Sequence, residues 1–174
     1  MRVATWNIKS LNNRDQEIEK ELTEYQIDIF ALQETKRKGK GQTRLGEYLL
    51  IYSGVPKQER AKEGVAIMIK TKYKDQIKEC QYISQRILLV KIRANGKIIN
   101  TIGICAPDDC KPDSDKEEFY DELNELRINY TFFDHKIQHK YTFENTRGHR
   151  SMIDYVVTNR NIHHSEYGEY ESNR

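Results

Sequence analysis

The apolar residues between positions 1 and 105 fall into short runs bounded by polar or turn-forming residues, a pattern typical of β-strands. The run 27–33 is apolar on both faces, as in an interior strand. Asn95-Gly96 separates two β-rich runs and predicts a tight hairpin. Strands are therefore predicted at 1–8, 27–33, 48–53, 64–70, 87–94 and 97–105, with a further short piece near 78–83.

Apolar positions three or four residues apart predict two helices. The first covers 14–25, with Asn13 as its N-cap. The second covers 115–127 and is opened by a capping box of Ser114 and Glu117. Helices interspersed with hairpins favour an α/β fold with a mixed sheet. The buried faces are predicted to hold Ile18, Leu22 and Tyr25 in the first helix, and Phe119, Leu123 and Leu126 in the second.

The pattern changes in the last third of the chain. Aliphatic residues become sparse after residue 105, and no clear period is visible between 128 and 150. A late strand is predicted at 151–158. The segment 161–174 contains one aliphatic residue, and we expect a frayed tail there. The domain is thus predicted to cover 1–160.

Composition argues against several classes of protein. No apolar run is long enough for a membrane span or a signal peptide, so neither membrane association nor secretion is expected. The three cysteines are odd in number and lack zinc-like spacing, so a disulfide framework is not expected. A reducing compartment, nuclear or cytoplasmic, is favoured. The net charge of +2 does not by itself indicate a nucleic-acid partner.

Three polar residues mark the candidate chemistry. Asn7 and Glu34 end predicted strands, and Asp154 lies inside the late strand. Carboxylate and amide oxygens at one edge of a sheet suit Mg²⁺, which takes few protein ligands and keeps several waters. The plainer interpretation is that they are surface or capping residues. Spacing alone leaves both open.

A basic segment follows Glu34. Lys36, Arg37, Lys38 and Lys40, with Arg44 beyond them, form a loop that contains no acidic residue. Such a run is usually solvated surface, but it could instead track the phosphates of a nucleic acid.

Five segments of the chain, taken together, resemble a known family. TWNIKSL, ALQET, EGVAIMIK, CAPDD and RSMIDYVVTNR occur in the order and spacing of the endonuclease/exonuclease/phosphatase superfamily. The likeness runs from about residue 2 to about 164 and is strongest to the endonuclease domain of LINE-type (non-LTR) retrotransposons and to related craniofacial-development-protein-2-like sequences. It implies a four-layer α/β/β/α sandwich that nicks DNA with Mg²⁺, or with Mn²⁺ in its place, and without a small-molecule cofactor.

The resemblance also implies roles for individual residues. Asn7 matches an asparagine that helps to hold the metal or phosphate, and Glu34 matches the principal metal-binding glutamate. Lys9 stands where these elements often have a basic residue. Asp154 matches an aspartate that orients the catalytic histidine.

The sequence departs from the family pattern in three places. The family's Tyr-Ala-Pro is here Cys105-Ala106-Pro107, so a thiol replaces a phenol that would contact phosphate. The Gly-Asp-Phe-Asn motif is absent, which indicates an internal deletion near 126–130, and so is the terminal Ser-Asp-His. We therefore expect a sandwich that is incomplete in its second half, self-association through unpaired sheet edges, and loss of nicking activity.

Other interpretations stay open at this stage. Histidines at 135, 139 and 149 could form a metal cluster, although surface or packing roles suit their extended surroundings better. Cys105 could be a nucleophile, but a buried inert thiol is favoured because no histidine or acid lies beside it. The chain could also be a non-catalytic nucleic-acid-binding module, or a translated transposon remnant without a selected function.

Overall fold

The computed structural model describes residues 1–94, 96–108, 110–130, 143–144, 150–151 and 154–157. Two α-helices, one 3₁₀ helix (Thr71–Gln76) and eleven strands are defined in these ranges. In chain order they are β1 (Val3–Asn7), α1 (Asp15–Glu24), β2 (Ile29–Gln33), β3 (Lys40–Leu45), β4 (Tyr48–Ser53), β5 (Val65–Lys70), β6 (Ile77–Tyr82), β7 (Ile87–Ala94), β8 (Lys97–Cys105), α2 (Asp113–Tyr130), β9 (Phe143–Glu144), β10 (Arg150–Ser151) and β11 (Asp154–Val157).

The strands form two principal sheets. The first has the order β1-β2-β5-β4-β3, with β1 and β2 parallel and the other neighbours antiparallel. The second has the order β11-β8-β7-β6 and is antiparallel throughout, while β9 and β10 pair separately. The predicted mixed α/β architecture is therefore confirmed, and so is the β7–β8 hairpin, whose Gly96 has a φ of 74°.

The first helix connects the two parallel strands and covers the outer face of their sheet. Ile18 and Leu22, four residues apart, are buried against Phe30, Leu50 and Met68. The burial of Ile18 and Leu22 was correctly predicted from the spacing of apolar residues, but Tyr25, predicted on the same face, follows the helix and is 52% exposed. The predicted N-cap was not: Arg14 precedes the helix without a side-chain cap, and Asn13 has a φ of 60°.

The second helix covers the other sheet. Phe119 and Leu126 are buried against Ile87, Leu89 and Ile104 on its outer face. The helix begins at Asp113, two residues before the predicted start. Pro112 precedes it, and the Pro112 carbonyl accepts from the backbone N–H groups of Asp115 and Lys116 in the first turn. Ser114 therefore lies inside the first turn and is not the N-cap that its capping-box spacing predicted.

The inner faces of the two sheets pack directly on each other. Val65 and Ile67 of the first sheet lie in one apolar cluster with Leu88 and Val90 of the second. A Cβ added at Gly103 would lie 2.8 Å from the Val65 Cγ2 atom, so glycine sets how closely the sheets approach there. The described layers thus run helix, sheet, sheet, helix.

A strand replaces much of the predicted basic loop. Residues Lys40–Leu45 form β3, an edge strand whose side chains are mostly exposed and whose backbone pairs with β4. The prediction missed it because it has no apolar alternation. Lys40 and Arg44 on this edge are charged residues of the kind that discourage pairing with another chain.

The amino end of β2 is anchored by buried polar contacts. The Asp28 carboxylate accepts from the Arg2 backbone N–H at 2.9 Å and lies 2.8 Å from the Lys72 Nζ atom. The buried Tyr48 hydroxyl donates to the Ile27 carbonyl at 2.8 Å, and burial raises the pKa of this phenol to about 12. These contacts lie at the end of β2 opposite to Glu34.

Several predictions fall outside the described residues. They concern the histidines at 135, 139 and 149 and the tail at 161–174. For Asp154 only the backbone is described. No helix in the described part of the chain is long and apolar enough to cross a membrane.

Candidate functional site

The carboxyl ends of β1 and β2 bring Asn7 and Glu34 together. Parallel pairing sets Asn7 opposite Gln33, so Glu34 follows directly at the same edge. The Asn7 Nδ2 atom donates to the Glu34 Oε1 atom at 2.9 Å, and the Lys9 backbone N–H donates to the Asn7 Oδ1 atom at 3.1 Å. Both polar atoms of the Asn7 amide are thus engaged, which fixes its orientation.

The backbone at this edge takes an uncommon conformation. Lys9, Glu34 and Lys36 all have φ between 51° and 57°, in the left-handed region that residues other than glycine rarely adopt. The Leu11 N–H donates to the Thr35 carbonyl at 2.9 Å, which ties the loop after β1 to the turn after β2. Such conformations persist where surrounding contacts hold them, and they are frequent at functional sites.

Two backbone bonds hold the turn from its other side. The Thr35 N–H donates to the Gly64 carbonyl at 3.0 Å, and the Lys36 N–H donates to the Glu63 carbonyl at 2.7 Å. A Cβ at Gly64 would lie 2.6 Å from the Thr35 hydroxyl, and Gly64 has a φ of 95°. The segment before β5 therefore fits closely against the turn that carries Glu34.

A basic cavity lies beside this turn. It has a volume of about 320 Å³ and is lined by Asn12, Lys36, Arg37, Lys38, Tyr52 and Ala61. Three consecutive cationic residues in one concave surface create a positive potential that would attract an anion. The sequence-predicted basic residues at 36–38 thus line one cavity, and Lys36 belongs to the turn that carries Glu34.

The four predicted basic residues differ in their surroundings. Arg37 lies 3.3 Å from an Asp15 carboxylate oxygen and stacks 5.3 Å from the centre of the Tyr52 ring, so part of its charge is already compensated. Lys40 lies on β3, outside the cavity, with its Nζ atom 5.9 Å from the Tyr82 ring on β6. Within the described chain, no acidic side chain forms an ion pair with Lys36 or Lys38.

The second sheet contributes to the same edge through a buried ion pair. Arg86, which precedes β7, is 8% exposed; its guanidinium binds the Glu63 carboxylate and donates to the Cys105 carbonyl at 3.0 Å. Cys105 in turn pairs with Asp154 across β8 and β11, and β11 contacts β1 across the sandwich. The backbone of Asp154 therefore lies beside Cys105, on a strand that contacts β1.

The Cys105 thiol is part of the core. It is 3% exposed and packs in the apolar cluster between the two sheets, as expected for a buried thiol. A thiol in this position does not face the basic cavity, whose lining does not include it.

The described residues suit a hydrated divalent cation. They contain no group of three or more His, Cys, Asp or Glu side chains placed to hold a metal ion. Mg²⁺ does not require such a group, because it is commonly held by one or two carboxylates and keeps its remaining waters. In the part of the chain described, Asn7 is the one donor to the Glu34 carboxylate, and it binds a single oxygen. The other oxygen, Oε2, is a carboxylate oxygen of the kind that serves as a ligand to Mg²⁺ or Mn²⁺.

Residues that sequence reasoning missed complete the site. Glu63, Arg86 and Lys111 form an ion-pair network, with the Lys111 Nζ atom 3.5 Å from the Glu63 Oε1 atom, and Tyr52 lines the cavity. The only sign of Arg86 in the sequence was that it is a charged residue immediately before the apolar run of β7. Nothing local pointed to its partners.

The fold and site define a class of protein: a two-sheet α/β sandwich with a carboxylate–amide pair and a cationic cavity at one edge. A sequence profile of the Endonuclease/Exonuclease/phosphatase family matches residues 4–138. The chain therefore belongs to this family. The expected family resemblance is confirmed, whereas the more specific likeness to LINE-type elements stays a prediction.

Individual relatives agree with this assignment. The chain is 25% identical over 125 residues to craniofacial development protein 2 of Bos taurus and 24% identical to that of Tragulus javanicus. Each match covers 71% of this chain and 21% of the relative, so the chain spans about a fifth of the length of these proteins. The structure of the 3′ phosphatase NExo from Neisseria, bound to product DNA hairpin, superposes with a TM-score of 0.56 at 21% identity. That match covers 75% of this chain and 53% of the other, and supports a shared fold.

Proposed function

We propose that this chain is a retrotransposon-derived, endonuclease-like protein whose ancestral activity was Mg²⁺-dependent hydrolysis of DNA phosphodiesters. The observation that carries this proposal is the 2.9 Å contact between Asn7 and Glu34, beside a cavity lined by three consecutive basic residues. A metal ion that acts on a phosphodiester requires an oxygen ligand such as a carboxylate, and the phosphodiester itself is attracted by cationic side chains at the same edge. Family membership and the DNA-bound structural neighbour support the same substrate class.

Each residue of the site has a defined task in this proposal. Glu34 would hold the ion, while Asn7 orients the carboxylate through Oε1. Lys36 and Lys38 receive the phosphates of the bound strand. When bound, Mg²⁺ would supply a Lewis acid that neutralises charge developing on the phosphate. The role of Asp154, by resemblance, is to orient a catalytic base.

We propose further that hydrolysis is strongly reduced in this chain. The sequence contains no Gly-Asp-Phe-Asn segment, and α2 continues directly into 126–130, where the deletion is predicted. By family resemblance, that segment supplies the side chains that position the attacking water. Loss of several members of a catalytic unit leaves mainly the effects of binding, so we expect a rate lower by several orders of magnitude than that of a complete relative.

A plasmid-nicking assay tests the proposal. Supercoiled DNA is incubated with the protein and Mg²⁺, with EDTA in a parallel reaction, and Glu34→Gln is compared with Glu117→Gln at an exposed position on α2. Weak, EDTA-sensitive nicking that disappears only in Glu34→Gln is expected. Robust nicking would contradict the reduced activity. Nicking unchanged by Glu34→Gln would contradict the site itself.

A second candidate function is a non-catalytic nucleic-acid-binding module. The observation that favours it is the basic cavity, because Lys36 and Lys38 can bind phosphate whether or not hydrolysis follows. This hypothesis predicts salt-sensitive DNA binding that survives both EDTA and Glu34→Gln. The endonuclease proposal predicts instead that binding at the scissile phosphate strengthens with Mg²⁺. Fluorescence anisotropy with and without Mg²⁺ therefore distinguishes the two.

A further inference from the structure

The buried ion pair of Arg86 and Glu63 lies outside the proposed metal and phosphate contacts, yet it is connected to them. Arg86 is 8% exposed and the Glu63 side chain is 13% exposed. Burying two charges costs desolvation energy, so such a pair is weak evidence for stability and is often retained for the geometry that it specifies. The geometry it specifies here is found at the backbone of Glu63.

The Glu63 residue links the ion pair to the turn that carries Glu34. Its carboxylate binds Arg86 and accepts from the Gln85 Nε2 atom at 3.2 Å, while its carbonyl accepts from the Lys36 N–H at 2.7 Å. Glu63 itself has a φ of 51°, in the same uncommon region as Glu34 and Lys36. A carboxylate held by Arg86, Gln85 and Lys111 therefore restricts where the carbonyl of the same residue lies.

Arg86 reaches the second sheet with its other nitrogen. The NH1 atom donates to the Cys105 carbonyl at 3.0 Å, and the Cys105 N–H donates to the Arg86 carbonyl at 2.9 Å. Because Cys105 pairs with Asp154, the guanidinium connects the turn after β2 with the strand end of the second sheet. A planar guanidinium has several N–H donors in fixed directions, so it can bind the Glu63 carboxylate and the Cys105 carbonyl at the same time. A lysine ammonium lacks this fixed, planar arrangement of donors.

From these contacts we infer that Arg86 is a positioning residue, which acts through Glu63 to hold the Glu34–Lys36 turn in the conformation that binds the metal. The inference rests on the proposed metal site at Glu34 and goes beyond it. Two consequences separate it from a purely structural role. Loss of the pair should loosen the Thr35 and Lys36 amides selectively, and it should weaken metal binding in protein that remains folded.

The experiment compares Arg86→Lys and Glu63→Gln with the wild type. Amide hydrogen exchange followed by NMR should be at least about tenfold faster at Thr35 and Lys36, while amides in β4 and β5 stay unchanged. The Mn²⁺ dissociation constant, measured by electron paramagnetic resonance, should rise by about tenfold, as is usual when a group that orients a metal ligand is lost. Glu79→Gln is the matched control, since Glu79 also pairs with a cation, Lys91, but on the β6–β7 ladder.

The two arms give separate answers. Unchanged exchange at Thr35 and Lys36 in folded variants, or a uniform increase through the sheets, would overturn the inference. If Arg86→Lys does not fold, Glu63→Gln decides, because it keeps the size of the side chain. Absence of Mn²⁺ binding in the wild type would refute the proposed function, while the exchange arm would still decide the role of Arg86.

Discussion

The Asn7 side chain donates from its Nδ2 atom to one oxygen of the Glu34 carboxylate, 27 residues away along the chain and 2.9 Å away in space. Its own oxygen accepts from the Lys9 backbone. In this arrangement Asn7 is better placed to orient the carboxylate than to bind a cation itself. The two residues therefore have different expected sensitivities to substitution.

Replacing Asn7 with alanine should weaken metal binding without abolishing it. The carboxylate would keep both oxygens but lose the donor that orients it, so Mn²⁺ affinity should fall by about tenfold, and Glu34→Gln should remove it. Titration calorimetry or paramagnetic resonance measures both. Asn124→Ala, at an exposed position on α2, serves as the control. Equal losses in Asn7→Ala and Glu34→Gln would mean that Asn7 is itself a ligand.

Lys36 and Lys38 should contribute more to DNA binding than Lys40 does. The first two line the cavity, whereas Lys40 lies on β3 over the Tyr82 ring. Each phosphate contact that is removed should make the slope of log affinity against log salt shallower by about 1. Anisotropy titrations at several salt concentrations test Lys36→Ala, Lys38→Ala and Lys40→Ala. A uniform effect of all three would indicate diffuse attraction by surface charge.

Asp28 should make the stability of the fold depend on pH. Burial alone would raise the pKa of this carboxyl, but the contacts with Lys72 and the Arg2 amide outweigh it and hold the pKa below its ordinary value. A lowered pKa contributes stability above the ordinary value near 3.8, and this contribution is lost as the pH falls through the folded-state pKa. Asp28→Asn should cost about 1–2 kcal/mol at pH 7.

Urea unfolding between pH 3 and pH 7 checks this prediction. The difference in unfolding free energy between wild type and Asp28→Asn should shrink as the pH falls below about 4. Asp75→Asn, which changes an exposed carboxyl in the 3₁₀ helix Thr71–Gln76, should show little of this dependence. A difference that stays constant over the whole range would contradict the assignment.

Adding a methyl group at Gly103 should destabilise the packing of the two sheets. The new Cβ would lie 2.8 Å from Val65 Cγ2 and 3.4 Å from Ile67 Cγ1. Overpacking of this kind typically costs about 1–3 kcal/mol, measurable by thermal or urea unfolding of Gly103→Ala. Gly96→Asn is a suitable comparison, because no heavy atom lies within 4 Å of its Cβ position and asparagine tolerates a φ of 74°. A Gly103→Ala protein as stable as the wild type would argue against close sheet packing at this position.

Local sequence patterns predicted the elements whose signal lies within a single helix or hairpin. The spacing of Ile18 and Leu22 gave α1, and Asn95-Gly96 gave the β7–β8 hairpin, because in both cases the signal lies within one element. β3 escaped prediction since backbone pairing with β4, and not apolar packing, holds it. Ser114 was misplaced because Pro112 set the helix start instead.

The candidate site was only partly predictable for a related reason. Asn7 and Glu34 could be proposed because parallel strands end at the same edge, a relation that sequence can express. Arg86 and Glu63 are 23 residues apart, in the segments that precede β7 and β5, and their contact depends on how the two sheets pack. No local pattern encodes that packing.

The order of elements along the chain also has a consequence for folding. β1, α1 and β2 are consecutive, so Asn7 and Glu34 can meet as soon as this unit forms, and the N-terminal part of a chain leaves the ribosome first. Arg86 and Cys105 follow much later in synthesis. The carboxylate–amide pair can therefore form before the ion pair that fixes its turn. During refolding, cation affinity is expected to develop after secondary structure, when the second sheet docks on the first.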